Sequence, residues 1–331
     1  MAVLIDLYFR ALGNLVPGTP LARSKLGHRL LQDFPSRHFV KPSLGLYELD
    51  DLLGWRLQRG VTARHSAYEF RVVYHTDESG CRATPSSATD ARLAVLGCSW
   101  TFGHGVDDDQ TFASLLSAAG FPCRNGGVPA YGPAHALLLL RRRGWLDWAA
   151  DAGAVLLYCW CPDQLLRAWR RDSWIRINSW VNPGGRTHPV FDLEHGELVH
   201  GGLIGLEGAA VEATDSLRLI ERMEWRVTIE LCKAMRSAAA ARDIPFFIVL
   251  PPVRDEDESA IVARMSAELA IAGVPHFDLD RKYDDGRRRG RDMFFTSDSH
   301  PTPAWHRQVA DGLAAKLAKH HSERGRDSKC Q

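Results

Sequence analysis

The sequence predicts an α/β protein in which one parallel sheet lies between two layers of helices. From Arg92 onward, short apolar runs alternate with segments whose apolar residues recur at helical spacing. The runs Leu93–Leu96, Ala154–Tyr158 and Phe246–Leu250 have the length and continuous apolar character of strands that are buried on both faces. Because parallel strands are joined by crossover helices, this alternation favours a three-layer α/β/α architecture.

The remaining elements of this domain follow in order along the chain. They are a helix beginning near Phe112, a strand at 122–125, helices at 134–143, 213–242 and 256–271, a strand at 275–279, and a last helix that begins at Thr302-Pro303 and reaches Lys319. In such a sheet, functional groups collect at the carboxyl ends of the strands. Polar residues just after the strands are therefore the first candidates for a site.

The chain divides into a main domain at 89–321 and additions to it. Residues 1–88 are predicted to form a partly β accessory segment, with a strand at Tyr68–Tyr74 and a proline- and serine-rich linker before the main domain. The stretch 172–211 breaks the alternation, and the turn residues His195-Gly196 predict an inserted β-hairpin there. The polar tail 322–331 is expected to be disordered.

Composition excludes several classes of protein. Among 331 residues, 41 lysines and arginines nearly balance 40 aspartates and glutamates, so no overall charge favours nucleic acid as a partner. Seven cysteines without a repeating spacing predict free, buried thiols rather than a disulfide framework. The apolar segment at 1–18 contains Asp6 and Arg10 and is too short for a membrane span, so we interpret it as an amphipathic helix of a cytoplasmic protein. Nothing in the sequence indicates a metal site or a cofactor.

The sharpest local signal is the segment Leu96–Gly105, which reads Leu-Gly-Cys-Ser-Trp-Thr-Phe-Gly-His-Gly. It stands where the first core strand ends and a helix follows. A serine on such a turn projects its hydroxyl above the sheet edge, and glycines let backbone amides approach an oxyanion. A Gly-x-Ser turn alone is common, and its serine most often satisfies backbone groups.

A second signal, near the other end of the domain, favours a nucleophilic Ser99 over a serine that only satisfies backbone groups. Asp298 and His300 lie two residues apart in a proline-braced loop just before the last helix. A serine becomes nucleophilic at neutral pH when an imidazole takes its proton and a carboxylate fixes the tautomer of that imidazole. The alternative is a helix-entry loop with a capping aspartate and a surface histidine. With Ser99, the pair predicts a nucleophile, a base and an orienting acid.

Together, Gly97–Gly103, Asn125–Gly132 and Asp298-Ser-His300 resemble the SGNH/GDSL hydrolase superfamily over roughly residues 90–320. The resemblance implies a flavodoxin-like α/β/α domain that carries a Ser-His-Asp triad. It also implies an oxyanion hole that includes a backbone amide of the second motif, for which Gly127 and Ala130 are the candidates. An α/β-hydrolase shares the residue order but requires a Gly-x-Ser-x-Gly turn, which is absent here.

Three departures from the family pattern bear on activity. Cys98 stands where an aspartate usually precedes the serine, and Ala130 stands where the second motif usually has glycine. The third motif normally supplies an asparagine donor, but Pro162 occupies that place and has neither a side-chain donor nor an amide hydrogen. Losing one such donor costs about 3 to 4 kcal/mol of transition-state stabilisation. We expect Gln164 or Arg167 to compensate, or the amides of Ser99 and Ala130 to act alone.

The leading interpretation is an esterase that removes an O-acetyl or other short acyl group from a small molecule or a glycan. His104 is a further candidate for contact with the substrate, although a histidine flanked by glycines is more often just exposed. The resemblance leaves open an O-acyltransferase with the same triad and a catalytically impaired binding protein of the same fold. It does not indicate an oligomeric state.

Overall fold

The computed structural model describes residues 45–67, 69–86, 89–178, 182, 185–210, 217–280, 292–296 and 299–327. The strands are β1 (Tyr47–Asp50), β2 (Gly54–Leu57), β3 (Thr62–Ser66), β4 (Arg71–His75), β5 (Leu93–Gly97), β6 (Cys123–Gly127), β7 (Val155–Cys159), β8 (His188–Glu194), β9 (Glu197–Ile204), β10 (Phe246–Leu250) and β11 (His276–Asp278). The helices are α1 (Ser99–Phe102), α2 (Phe112–Ala118), α3 (Pro133–Arg142), α4 (Trp145–Ala152), α5 (Asp172–Asn178), α6 (Leu217–Ala240), α7 (Glu256–Ile271) and α8 (Pro303–Asp327). Short 3₁₀ helices cover Asp108–Gln110, Pro162–Arg167 and Leu206–Gly208.

Five parallel strands form the central sheet in the order β11-β10-β7-β5-β6. Numbered from β5 as the first core strand, the order is 2-1-3-4-5, which is the flavodoxin-like arrangement. Every residue of β5 and β7 is buried, which explains why both read as continuous apolar runs. Helices α2 and α8 pack together, and α3 packs on α6. The predicted α/β/α fold is therefore confirmed.

Most predicted elements of the main domain are present, and the differences have local causes. The strand Phe246–Leu250 and the helix Glu256–Ile271 have the predicted bounds. Helix α4 was not predicted, although the left-handed glycines Gly144 and Gly153 delimit it. Helix α8 continues to Asp327, into the tail expected to be disordered. The segment 1–18, predicted as an amphipathic helix, lies outside the described residues.

The described part of the N-terminal extension consists of two antiparallel hairpins, β1–β2 and β3–β4. Its apolar side chains, such as Trp55 and Tyr74, belong to the same continuous core as the central sheet. Arg82 follows the second hairpin, is fully buried, and forms an ion pair with Asp108. The Arg82 side chain also donates to the carbonyl oxygens of residues 102, 103 and 106, so the extension holds the loop that follows α1.

The same segment covers β6, the outermost strand on its side of the sheet. The backbone N–H of Arg82 donates to the carbonyl of Asn125 at 3.1 Å, and the Thr84 hydroxyl donates to the carbonyl of Cys123 at 2.8 Å. These contacts satisfy carbonyl groups that no neighbouring strand reaches.

The predicted insertion hairpin is confirmed as β8 and β9. Its two turn residues, His195 and Gly196, both have positive φ angles of 51° and 88°, as a two-residue hairpin turn requires. Arg171, just before α5, pairs with Glu224 of α6 through two bonds of 2.6 and 2.7 Å, and Glu224 is fully buried. This pair fixes the chain immediately before the insertion to α6 of the main domain. Among the described residues, no helix is long and apolar enough to cross a membrane.

Candidate active site

Ser99 is the first residue of α1, two residues after the last residue of β5. The turn is tight, because a Cβ on Gly97 would lie 2.1 Å from the Thr101 hydroxyl oxygen. Asn125 of β6 fixes it from the side: its amide donates to the Thr101 carbonyl at 2.9 Å and accepts from the Gly127 N–H at 3.0 Å. The parallel strands β5 and β6 thus hold the serine at the carboxyl edge of the sheet.

His300 lies in the loop that leads into α8. Two backbone bonds close this loop, from the Phe295 N–H to the His300 carbonyl at 2.8 Å and from the Ser299 N–H to the Phe295 carbonyl at 2.9 Å. The loop brings His300 Nε2 to 2.9 Å from Ser99 Oγ, and the two residues are only 7% and 5% exposed. Asp298 lies outside the described residues, so its role remains a prediction.

His104 lies against the ring of His300 rather than at the protein surface. The ring centroids are 4.2 Å apart, and His104 is 3% exposed. On its other side, the ring of His65 meets His104 edge-on with the centroids 4.9 Å apart. Tyr74 ends this chain of rings, with its hydroxyl 2.9 Å from His65 Nδ1 and accepting the Gly105 N–H at 2.9 Å. Sequence reasoning missed His65 and Tyr74, which carry no recognisable motif.

Ala130, the candidate oxyanion residue, follows β6 at the same edge of the sheet as Ser99. Its φ angle is 69°, so the backbone keeps the left-handed conformation in which glycine is usual, although the residue has changed. The amide of Ala130 donates to no acceptor among the described residues. Gly127 acts differently: a Cβ there would lie 2.3 Å from the backbone nitrogen of Phe102 in α1. Gly127 therefore permits close contact between β6 and the serine turn.

Gln164 and Arg167, the two donors predicted near the third motif, both form hydrogen bonds with neighbouring groups of the protein. The side chain of Gln164 accepts from the Tyr158 hydroxyl and donates to the Cys159 carbonyl at 3.0 Å, so these buried contacts occupy its amide. Its expected role in place of the missing asparagine stays a prediction. The side chain of Arg167 donates to the Tyr131 carbonyl at 3.1 Å and stacks 4.2 Å above the ring of Trp174. Arg167 thereby braces the loop that presents Ala130.

A charged pair that the sequence did not reveal lies near His300. Asp163 accepts a hydrogen bond from Arg254 at 2.9 Å, and its carboxylate is 3.9 Å from Arg167. Burial alone would raise the pKa of Asp163, but the charges of Arg254 and Arg167, with a smaller effect from His300, lower this pKa overall. Asp163 therefore remains an anion beside the imidazole. Arg167 is four residues from Asp163 in the same 3₁₀ helix, whereas Arg254 follows β10, so no sequence spacing could have indicated the contact between Asp163 and Arg254.

Cys98 and Cys161 lie side by side beneath the serine, with their sulfur atoms 3.7 Å apart. Burial alone would raise the pKa of the Cys98 thiol, but the hydrogen bond with Cys161 and the charge of Arg167 lower this pKa overall. Burial and the neighbouring Cys98 raise the pKa of Cys161. Cys98 thus occupies, as one member of a buried pair of thiols, the position where the family pattern has an aspartate.

Comparisons with known proteins give similarities at the level of structure only. No family model matches the chain, and no curated protein matches it. A lipase/acylhydrolase from Enterococcus faecalis is 13% identical, with a TM-score of 0.40 over 69% of this chain and 96% of that one. A catalytic mutant of Axe2, an acetylxylan esterase from Geobacillus stearothermophilus, is 8% identical, with a TM-score of 0.39 over 70% and 94%. The SGNH-hydrolase family esterase AlinE4 is 14% identical, with a TM-score of 0.32 over 70% and 96%.

The sheet order and the placement of the polar groups agree with the resemblance carried by the three motifs. The serine follows the first core strand, the candidate amide follows the second, and the histidine precedes the last helix. The main domain of this chain therefore has the flavodoxin-like α/β/α fold that the resemblance implies.

Proposed function

We propose that the protein is a serine hydrolase that cleaves a short-chain acyl ester through an acyl-enzyme on Ser99. The observation that carries the proposal is the 2.9 Å contact between Ser99 Oγ and His300 Nε2, formed by residues 201 positions apart in the chain. This distance is within the range needed for proton transfer from a nucleophile to its base. Asp298 is the proposed acid that orients the imidazole.

In the proposed reaction, Ser99 Oγ attacks the ester carbonyl while its proton passes to His300 Nε2. The amides of Ser99 and Ala130 receive the oxyanion as it develops. Collapse of the tetrahedral intermediate breaks the bond to the alcohol, which leaves with the proton from His300. A water molecule then attacks the acyl group, its proton passes to His300 and on to Ser99, and the carboxylic acid is released.

A second Ser-His pair in the chain provides a matched control. Ser266 is 6% exposed, and its Oγ lies 3.0 Å from Nε2 of His276, but it lies within α7 rather than at the carboxyl edge of the sheet. A fluorophosphonate probe should label the wild-type protein and Ser266→Ala, but not Ser99→Ala. Hydrolysis of p-nitrophenyl acetate should follow the same pattern. Labelling that survives in Ser99→Ala would contradict the proposal.

Two alternatives share the same site. An O-acyltransferase would form the same acyl-enzyme and pass the acyl group to a sugar or metabolite hydroxyl. Product analysis with an activated acetyl ester, with and without monosaccharide acceptors, separates it from an esterase: acetylated sugar identifies transfer, whereas acetate alone identifies hydrolysis. A binding protein that has lost catalysis would show neither labelling nor turnover of any activated ester.

A further inference from the structure

The β3–β4 hairpin of the N-terminal extension reaches the loop that carries the proposed base. Glu69, in the turn between the two strands, accepts two hydrogen bonds from Thr296 on one carboxylate oxygen. The bond from the Thr296 backbone N–H is 3.0 Å long, and the bond from its hydroxyl is 2.9 Å long. These two segments are 227 positions apart in the sequence, so the contact is a property of the tertiary fold.

Thr296 belongs to the closed loop that determines the position of His300. The bonds between Phe295 and His300 and between Ser299 and Phe295 make the loop a single backbone unit. Thr296 is covalently joined to Phe295, the residue that makes both of these hydrogen bonds. A constraint on Thr296 therefore reaches His300 through the backbone, by hydrogen bonds of 2.8 and 2.9 Å, rather than through flexible side chains. The conformation has a cost, because Ser299 has a φ angle of 62°, which is unfavourable for a residue with a Cβ.

Aromatic contacts extend the same interface toward the ring of His300. Phe70, next to Glu69, lies with its ring centroid 5.2 Å from Phe295 and 5.6 Å from His104. The contact requires glycine at position 105, since a Cβ there would lie 2.7 Å from the Phe295 ring. The hairpin thus contacts both the loop that carries His300 and the residue stacked on its imidazole.

We propose that Glu69 is a positioning residue for His300, which makes the N-terminal hairpin a part of the catalytic apparatus. The inference rests on the proposed hydrolase function. Glu69 acts through Thr296 and touches neither the substrate nor the reacting atoms. Its two hydrogen bonds hold the histidine loop at the distance from Ser99 at which proton transfer occurs. Small displacements of a reacting group are costly, since about 1 Å of misplacement lowers a rate by roughly 100-fold.

The test compares Glu69→Leu, Glu69→Gln and a control on the other turn of the extension, Glu78→Leu. Glu78 is exposed and lies beyond the far end of β4. Glu69→Leu removes both acceptor bonds and should lower kcat for p-nitrophenyl acetate by about 10-fold or more, with KM and melting temperature near the wild-type values. Glu69→Gln keeps an acceptor oxygen and should recover most of kcat. Glu78→Leu should match the wild type in all three quantities.

The pH profile of kcat separates positioning from an electrostatic effect. If Glu69 acts by geometry, kcat of Glu69→Gln should rise and fall at the same pH values as kcat of the wild type, although the carboxylate charge is gone. A wild-type rate in Glu69→Leu would overturn the inference, as would a loss of kcat only at temperatures where that variant unfolds. Failure of the proposed hydrolase function looks different, because the wild-type protein itself would then be inert toward the ester.

Discussion

The contact between β6 and the serine turn yields a prediction with a matched internal control. A methyl group added at Gly127 would lie 2.3 Å from the backbone nitrogen of Phe102 and 2.7 Å from the backbone carbon of Thr101. At the adjacent Gly126, the methyl group would instead meet side chains, 2.5 Å from the ring of Trp145 and 2.7 Å from a methyl of Leu96. Both substitutions overfill the interior, but only Gly127→Ala presses on the backbone of α1.

The expected magnitudes follow from these distances. Overfilling a packed interior costs typically about 1 to 3 kcal/mol, so both variants should lose stability by this amount. For Gly127→Ala, the backbone of α1 must retreat by about 0.7 Å to reach the 3.0 Å below which real Cβ atoms are essentially never found. Because Ser99 is the first residue of α1, such a shift should lower kcat by about 10- to 100-fold. Gly126→Ala should keep kcat near the wild-type value.

Urea unfolding measures the stability of both variants, and ester hydrolysis is then assayed at a temperature at which each is fully folded. Labelling by a fluorophosphonate reports on the serine independently of turnover. Equal losses of kcat in the two variants would refute the reasoning. So would a wild-type rate in folded Gly127→Ala, because the serine turn would then tolerate displacement.

Three further predictions concern other parts of the structure. Glu224→Leu should lower the free energy of unfolding by about 3 to 5 kcal/mol in urea titrations, because it leaves Arg171 without its buried partner; no loss would contradict the role assigned to this pair. Ala130→Gly should raise stability by up to about 1 kcal/mol by relieving the left-handed conformation, and it should leave kcat within about twofold, because the amide remains. Burial lowers the pKa of His188 to about 4, whereas an unfolded histidine titrates near 6.5. The unfolded chain therefore binds more protons between these values, and stability should fall as pH drops through this window, less steeply in His188→Gln.

The central sheet and the location of the site could be predicted because their signals are local. A buried parallel strand reads as a continuous apolar run, and the residues after it fall at the carboxyl edge whatever the rest of the chain does. The segments containing Ser99 and His300 each stand next to such an element. To predict that these two segments lie close together, only the order of the strands in the sheet was needed.

The supporting contacts could not be predicted, because they join segments that share no pattern. Nothing near Glu69 in the sequence points to Thr296, and nothing near Asp163 points to Arg254. The contacts of Gln164 are another example: its place near the third motif suggested a donor, and only the structure shows that its amide is buried beside Tyr158. A short polar segment specifies chemical groups, while the direction in which they point is decided by tertiary packing.

The cover over β6 has a consequence for how the chain can be shortened. A protein that began after Thr84 would expose the carbonyl groups of Cys123 and Asn125 along an open strand edge. Such an edge is a template for pairing with another molecule, so the truncated protein is expected to aggregate even if its sheet forms. The extension is thus expected to protect this edge of the sheet against pairing with another chain.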